Sequence, residues 1–173
     1  KEQIYLMGES WGSALGIFLI DMDPDSYAGF IGTGQMVAFL ETETVDYETA
    51  MAMAKEMGDS KTLSKLAENG PPPYYGEDVT FKSAVYLNYL SSAMMRDPDI
   101  QNSGYETLRD IFSPEYGILD KINYVRGIVT TFNRVYPQLY PVDLRKDYNQ
   151  LSVPVYFFIG RHDLNAPVYL AKE

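Results

Sequence analysis

The stretch YLMGESWGSALG, from Tyr5 to Gly16, places a serine between two glycines where a strand pattern gives way to a helix pattern. The apolar run Ile4–Met7 predicts a short buried strand, and Ser13–Met22 predicts an apolar helix. The residues between them, Gly8–Gly12, match G-x-S-x-G, in which a strained turn holds the serine hydroxyl clear of the C-terminal edge of a sheet. Bulky side chains at the two glycines are expected to collide with the strand and the helix. We therefore predict that Ser10 is a nucleophile, the alternative being an ordinary turn that matches the pattern by chance.

The surrounding pattern predicts a parallel sheet with helices against it. The predicted helix points its N-terminus at Ser10, so the backbone N–H of Trp11 is expected to bind a developing oxyanion. Tyr27–Ile31 predicts a second strand, and strand, helix and strand with short connections form a right-handed parallel βαβ unit. The nearly continuous apolar run Val153–Ile159 predicts a third, buried parallel strand. Pro167 is expected to open a final helix.

Residues 41 to 147, between the second and third strands, carry helical patterns only. Four of the predicted helices are Asp46–Met57, Ser60–Glu68, Asp78–Met95 and Glu106–Phe112. A fifth helix is predicted by an apolar face that comprises Ile118, Ile122, Val125, Val129 and Phe132. Pro137 and Pro141 bound the end of this fifth helix. This block is rich in tyrosine, and most of these side chains are expected to be core or interface, with an apolar substrate pocket as the alternative. They are Tyr74, Tyr75, Tyr86, Tyr89, Tyr105, Tyr116 and Tyr124.

Composition supports a packed core and excludes several classes of function. Of 173 residues, 46% are hydrophobic, and the net charge of −10 disfavours nucleic acid or an anionic membrane as a partner. The chain has no cysteine and one histidine, so disulfides, thiol catalysis and multi-histidine metal sites are excluded. We predict no cofactor and no metal. No apolar run would span a bilayer and no signal peptide is visible, so we expect a cytoplasmic protein.

Four segments in the same order resemble the α/β-hydrolase superfamily, in its proline iminopeptidase-like group. They are IYLMGESWGSALG, YAGFIGTGQMV, the helical block with NGPPPYY, and LSVPVYFFIGRHDLNAP. The resemblance implies a partial α/β-hydrolase fold, with parallel strands flanked by helices and an all-helical cap insertion. Residues 1–40 and 148–173 would form the hydrolase core with its three strands adjacent, and residues 41–147 would form the cap. It also implies that Ser10 is the catalytic nucleophile and Asp163 the acid of the triad.

A triad of this kind also needs a histidine. His162 is beside Asp163, and adjacent loop residues generally point in different directions, so we interpret it as a residue that shapes the loop. In the family the histidine follows one further strand, and a second oxyanion loop precedes the serine; neither is in this sequence. We therefore expect an interior segment of a serine hydrolase, inactive when isolated. The open edge of the strand Ile4–Met7 predicts self-association.

The resemblance also bears on the substrate. Glu41 and Glu43 fall where members of the group carry glutamates that hold a peptide's free α-amino group; the alternative for each is a solvated acidic surface. Gln35, after the second strand, is expected either to line the pocket or to be a satisfied polar group. The predicted function is hydrolysis of a short peptide through an acyl-enzyme, as in an aminopeptidase or proline iminopeptidase. The alternatives are an esterase or amidase for small substrates, and a non-catalytic truncated module whose cap binds a ligand or partner.

Overall fold

A computed structural model describes residues 4–96, 98 and 111–172. Contacts divide the chain into two compact units, Lys1–Asp46 with Pro141–Glu173, and Tyr47–Tyr140. These boundaries differ by a few residues from the predicted segments 1–40, 41–147 and 148–173, and the cap role of the helical segment stays a prediction. Most of the predicted helix Glu106–Phe112, and Tyr105 with it, lie outside the described residues.

The elements follow the predicted order of strands and helices. They are β1 Ile4–Glu9, α1 Trp11–Met22, β2 Tyr27–Thr33, α2 Phe39–Glu56, α3 Ser60–Asn69, α4 Val79–Met94, α5 Ile118–Leu139, α6 Leu144–Asp147 and β3 Val155–Phe158, with short 3-10 helices at Pro24–Ser26, Gly76–Asp78 and Leu170–Lys172. The three strands form one parallel sheet in the order β1-β2-β3. The structure thus confirms a mixed α/β fold with a three-stranded parallel sheet flanked by helices.

Helix α1 covers one face of the sheet in the first unit. Gly16 lies against the ring of Phe30, where an added Cβ would come within 2.2 Å of a ring carbon. Ile17 and Ile20 are buried beside the same ring, in a cluster completed by Val37, Ala38, Leu144, Val153 and Leu170. This close approach requires the absence of a side chain at position 16, and it explains the glycine within an apolar helix.

The opposite face of the sheet carries exposed apolar side chains. Side chains alternate along a strand, so the residues next to those that face α1 point away from it. These residues are Tyr5 and Met7 on β1 and Tyr156 and Phe158 on β3, and all four are exposed. The prediction that β1 and β3 are buried strands is wrong for the described residues, where each strand pairs with β2 alone and most of its residues are exposed. Self-association through such an edge stays a prediction.

Helix α2 begins seven residues earlier than predicted, at Phe39 instead of Asp46. The segment FLETETV contains β-branched residues, which weakly disfavour helix, but its backbone is helical. The hydroxyls of Thr42 and Thr44 are satisfied inside this helix, because they donate to the carbonyls of Ala38 and Leu40, one turn back. The correction matters for the site, because it places both Glu41 and Glu43 on a helix.

Of two further predictions about helix ends, one is confirmed and one is wrong. Helix α5 ends at Leu139, between Pro137 and Pro141 as predicted, and Pro137 lies inside its last turn. The helix predicted from Pro167 is only the 3-10 turn Leu170–Lys172, in which the N–H of Leu170 donates to the carbonyl of Pro167, three residues back.

The second unit is helical, and its core is rich in aromatic residues. The hydroxyl of Tyr47 donates to the carbonyl of Leu66 at 3.1 Å. Asn133 on α5 joins the start of α4, because its Oδ1 accepts from the Thr80 N–H at 2.9 Å. Of the six predicted tyrosines within the described residues, Tyr74 and Tyr86 are buried, Tyr89 and Tyr124 are half-buried, and Tyr75 and Tyr116 are exposed, so full burial holds for two of them. No helix within the described residues is long and apolar enough to cross a membrane.

Candidate functional site

Ser10 is the single residue between the end of β1 and the start of α1. Its backbone has φ 51° and ψ −118°, and it is the one non-glycine residue with positive φ in the described part of the chain. Such a conformation costs on the order of 1–3 kcal/mol, so the surrounding structure must hold it in place. Part of this support is a hydrogen bond from the Ser10 N–H to the carbonyl of Thr33, at the end of β2, at 3.0 Å.

Ser13, which the sequence analysis did not single out, ties the Ser10 turn to the segment after β2. Its backbone N–H and its hydroxyl both donate to the carbonyl of Ser10, and the hydroxyl oxygen accepts the N–H of Met36 at 3.0 Å. The side chain is fully buried. The hydroxyl of a serine in the first turn of a helix commonly donates to the backbone carbonyl three residues earlier. The three-residue spacing between Ser10 and Ser13 was therefore the sequence signal that could have predicted this contact.

The two glycines of the G-x-S-x-G pattern have different environments. A Cβ on Gly8 would lie 2.2 Å from the carbonyl oxygen of Gly12, which leaves no room for a side chain. A Cβ on Gly12 would meet nothing within 4 Å. The expectation that both glycines prevent a collision is therefore right for Gly8 and wrong for Gly12, because α1 starts by directing position 12 away from β1.

This difference yields a matched pair of substitutions. We expect Gly8→Ala to lower the free energy of unfolding by about 2 kcal/mol or more, since the clash is with backbone that cannot rotate away. Gly12→Ala is expected to be neutral or to raise it by up to about 1 kcal/mol, because alanine favours helix over glycine. Urea unfolding followed by circular dichroism measures both, and equal destabilisation by the two variants would contradict this difference in packing.

Asp163 lies in the loop that follows β3 and is held by backbone hydrogen bonds. Its Oδ1 accepts the N–H of Asn165 at 2.9 Å and that of Ala166 at 3.0 Å, and its own N–H donates to Gly160 at 3.1 Å. These three bonds fix the carboxylate relative to β3. His162, the preceding residue, is exposed.

The parallel sheet brings the ends of its strands to one edge. Ser10 follows β1, Gly34 follows β2 and Asp163 lies in the loop after β3, so the three are at the carboxyl edge. A Cβ built on Gly34 would be 3.8 Å from Oδ2 of Asp163. Trp11 is the first residue of α1 and so has one of the backbone N–H groups at that helix's N-terminus.

Nε2 of Gln35 and the carboxylate of Glu41 have partners within the first unit, whereas Oε1 of Gln35 is buried with no hydrogen-bond partner among the described residues. Gln35 is buried, donates through Nε2 to the carbonyl of Met36 at 2.8 Å, and lines a cavity of about 470 Å³ whose lining residues do not include Ser10 or Asp163. The carboxylate of Glu41 bonds to Arg145 at 2.7 Å and accepts from the Tyr169 hydroxyl at 3.2 Å. The substrate-binding roles of Gln35 and Glu41 stay predictions.

Glu43 and Asp46 lie three residues apart on α2, hence on one face of that helix, and both are buried. Burial, with the negative charges of Glu43 and Asp163 as smaller causes, raises the pKa of Asp46 from its ordinary value of 3.8 to about 9. No group of three or more histidine, aspartate or glutamate residues in the described ranges is arranged to hold a metal ion. The burial of Asp46 was not predicted from the sequence, because Asp46 was read there as the first residue of a helix, a position where an acid is normally solvated.

Comparison with known proteins gives one distant relationship. No protein-family model matches the chain, and no solved structure matches it. The chain is 24% identical over 181 residues to a probable aminopeptidase, YbaC of Bacillus subtilis strain 168. The alignment covers 100% of this chain and 54% of the relative, so the chain spans about half the relative's length. This similarity supports a peptidase-like relationship for the chain.

Proposed function

We propose that the chain is the nucleophile-bearing part of a serine hydrolase with an α/β-hydrolase fold, which removes N-terminal residues from short peptides. The observation that carries the proposal is the backbone of Ser10, a non-glycine residue held at φ 51° between a parallel strand and a helix. Strain of this kind persists where the surroundings enforce it, and the turn is the one that a nucleophilic serine requires. The similarity to a probable aminopeptidase supports the choice of substrate.

In the proposed mechanism the Ser10 hydroxyl attacks the carbonyl carbon of the scissile bond. The backbone N–H of Trp11, at the N-terminus of α1, donates to the oxyanion that develops on that carbonyl. Asp163 orients a histidine, which takes the proton of Ser10 and returns it to the leaving amine, giving an acyl-enzyme that water then hydrolyses. We place this histidine in the part of the protein that corresponds to the rest of the relative, outside these 173 residues.

The free amino group of the substrate requires a negatively charged partner. Glu43 is buried on the first turns of α2, and it is our proposed contact among the two glutamates singled out in the sequence. Glu41 is the weaker candidate, because its side chain is 40% exposed to water. In a site removed from water, a carboxylate near an ammonium group forms a short, charge-assisted hydrogen bond.

The test is covalent labelling of the full-length gene product. A fluorophosphonate is expected to modify Ser10, identified by mass spectrometry of the peptide that contains it, and to leave exposed Ser92 unmodified. Amino-acid p-nitroanilides with a free amine are expected to be hydrolysed faster than their N-acetyl forms. Absence of the Ser10 adduct would overturn the hydrolase proposal and favour a non-catalytic module.

The same assay separates the second candidate function. An esterase or amidase that has no use for a free amine would form the Ser10 adduct, hydrolyse p-nitrophenyl esters, and treat free and N-acetylated p-nitroanilides alike. The exposed turn of Ser10 supports either enzyme, whereas the buried acids of α2 favour the aminopeptidase.

A further inference from the structure

The hydroxyl of Ser13 is fully buried in the first turn of α1, and it is used both as a donor and as an acceptor. It donates to the carbonyl oxygen of Ser10, and its oxygen accepts the N–H of Met36 at 3.0 Å. A hydroxyl has a single hydrogen, so the bond from Met36 leaves that hydrogen directed at Ser10. A residue 23 positions farther along the chain than Ser13 therefore helps to set the direction of the bond to the Ser10 carbonyl.

The carbonyl of Ser10 belongs to the peptide group that ends in the N–H of Trp11. This carbonyl accepts a second hydrogen bond, from the backbone N–H of Ser13 at 2.9 Å. A peptide group is planar, so bonds that hold its carbonyl also fix the direction of its N–H. Hydrogen bonds to the carbonyl also polarise the group, which makes its N–H a stronger donor. The hydroxyl of Ser13 therefore influences the N–H that the proposed mechanism uses to stabilise the oxyanion.

The orientation of this peptide group is not the one that the backbone of Ser10 favours by itself. Its rotation about the Cα–C bond of Ser10 is the ψ angle of that residue, which is −118°. At φ 51° a non-glycine residue normally has ψ between about +30° and +60°, in the left-handed region. Bonds from the surroundings must therefore hold the peptide group in place, and both bonds to its carbonyl come from Ser13.

We propose that Ser13 is a positioning residue, which fixes the direction of the Trp11 N–H through the Ser10–Trp11 peptide group. The inference rests on the proposed function, because that function assigns the Trp11 N–H to the oxyanion. The oxyanion exists only after Ser10 has attacked the carbonyl, so a donor that points less accurately weakens the transition state and leaves substrate binding unchanged. Loss of the Ser13 hydroxyl is therefore expected to lower kcat without raising KM.

The test compares wild type and Ser13→Ala in the full-length gene product, with L-alanine p-nitroanilide as the substrate. We expect kcat to fall by about 10- to 100-fold, which is less than the loss of a whole oxyanion donor, and KM to stay within about twofold. Rates are divided by the amount of Ser10 that a fluorophosphonate labels at completion, so unfolded protein does not contribute to the comparison. Because every acyl substrate forms an oxyanion, kcat for p-nitrophenyl acetate is also expected to fall.

A second measurement reports on the oxyanion site itself. The boronic acid analogue of L-alanine binds covalently, because the Ser10 oxygen adds to boron, the Ser10 proton passes to the histidine, and boron becomes a tetrahedral, negatively charged centre. Its inhibition constant is expected to rise in Ser13→Ala by about the factor by which kcat falls. L-alanine forms no such centre, so its inhibition constant is expected to stay unchanged.

Two further variants complete the test. Ser83→Ala removes the hydroxyl of a fully buried serine in α4, which has no hydrogen-bond partner among the described residues, and it is expected to change neither kcat nor KM. Ser13→Cys keeps a side chain of similar shape and replaces the hydroxyl by a weaker donor, so it is expected to lower kcat by a smaller factor at unchanged KM. This variant decides the matter where Ser13→Ala fails to fold.

A purely structural role of Ser13 would lower the stability of its variants and leave both kcat per labelled Ser10 and the affinity for the boronic acid unchanged, and that result would overturn the inference. A rise in KM at unchanged kcat would overturn it as well. Absence of a Ser10 adduct in the wild type would overturn the hydrolase proposal, and the role of Ser13 with it. A wild-type adduct together with unchanged kinetics in Ser13→Ala would overturn the role of Ser13 alone.

Discussion

Replacing Ser10 by glycine is expected to abolish hydrolysis by the full-length gene product and, at the same time, to stabilise its fold. Removing the hydroxyl takes away the nucleophile, for which a loss in kcat of about 10⁴-fold or more is expected. Glycine has no Cβ and adopts φ near 51° without steric cost, so the strain held at this residue is released. Glycine also has more conformational freedom in the unfolded chain, which offsets part of this gain. The remaining increase in the free energy of unfolding is about 1 kcal/mol.

The comparison with Ser10→Ala separates the two effects. Alanine removes the hydroxyl as completely as glycine does but keeps the Cβ, so it is expected to lose the same activity and gain no stability. Ser92→Gly serves as the control for glycine itself, because Ser92 is exposed in the regular helix α4, where glycine is expected to cost about 0.5 kcal/mol. Activity is measured with an amino-acid p-nitroanilide, and stability by urea unfolding.

Either half of this result can fail separately. Retained activity in Ser10→Gly would show that another residue is the nucleophile. Equal stability of Ser10→Gly and Ser10→Ala would mean that the backbone of residue 10 is not strained in solution. The combination of lost activity and gained stability is typical of a position at which a fold gives up stability for function.

The part of the site that could be predicted from the sequence depends on local pattern and chain topology. Between Ile4 and Met22 the spacing of apolar residues changes from a strand pattern to a helix pattern at a single turn. The short connections from strand to helix to strand then favour a parallel arrangement of the strands. The serine at the turn and the acid after the third strand then lie at one edge of the sheet, because parallel strands end on the same side. Ser10 was accessible to this reasoning because the strand before it places it, whereas Asp163 was indicated by the resemblance to the α/β-hydrolase superfamily.

The parts that could not be predicted depend on contacts between distant segments, or on residues whose local preference differs from the structure they adopt. The start of α2 was missed because Thr42 and Thr44 are β-branched and weaken the helix pattern, a preference that the folded structure overrides. The prediction for Gly12 was wrong because the sequence does not reveal the direction in which a Cβ there would point. Asp46 was missed because an acid in a helix pattern is normally solvated, and only the folded structure shows that it is buried.

Replacing Asp46 by asparagine is expected to stabilise the ligand-free protein, by an amount that grows with pH. The pKa of this carboxyl is raised from 3.8 to about 9 in the folded chain. Over that interval the unfolded chain ionises while the folded chain keeps its proton, so rising pH draws the equilibrium toward unfolding. The penalty is absent below about pH 4, grows by about 1.4 kcal/mol per pH unit, and levels off above about pH 9.

Asparagine has a similar shape and does not ionise, so it removes the penalty and leaves the burial of a polar group. Near pH 4 the two proteins are expected to have similar stability, and near pH 7 the variant is expected to be more stable by about 4 kcal/mol, an order-of-magnitude value. Urea unfolding at a series of pH values measures the difference, with Glu48→Gln as the control that removes an exposed acid from the same helix. That control is expected to show no comparable dependence on pH.

A difference between wild type and Asp46→Asn that stays constant from acid to neutral pH would contradict the buried, neutral state of Asp46. A variant that is less stable at neutral pH would show that the carboxylate has a stabilising partner in solution. The expected result would instead identify a residue whose retention costs the ligand-free fold stability. A buried acid that weakens the fold is maintained for a reason other than folding stability.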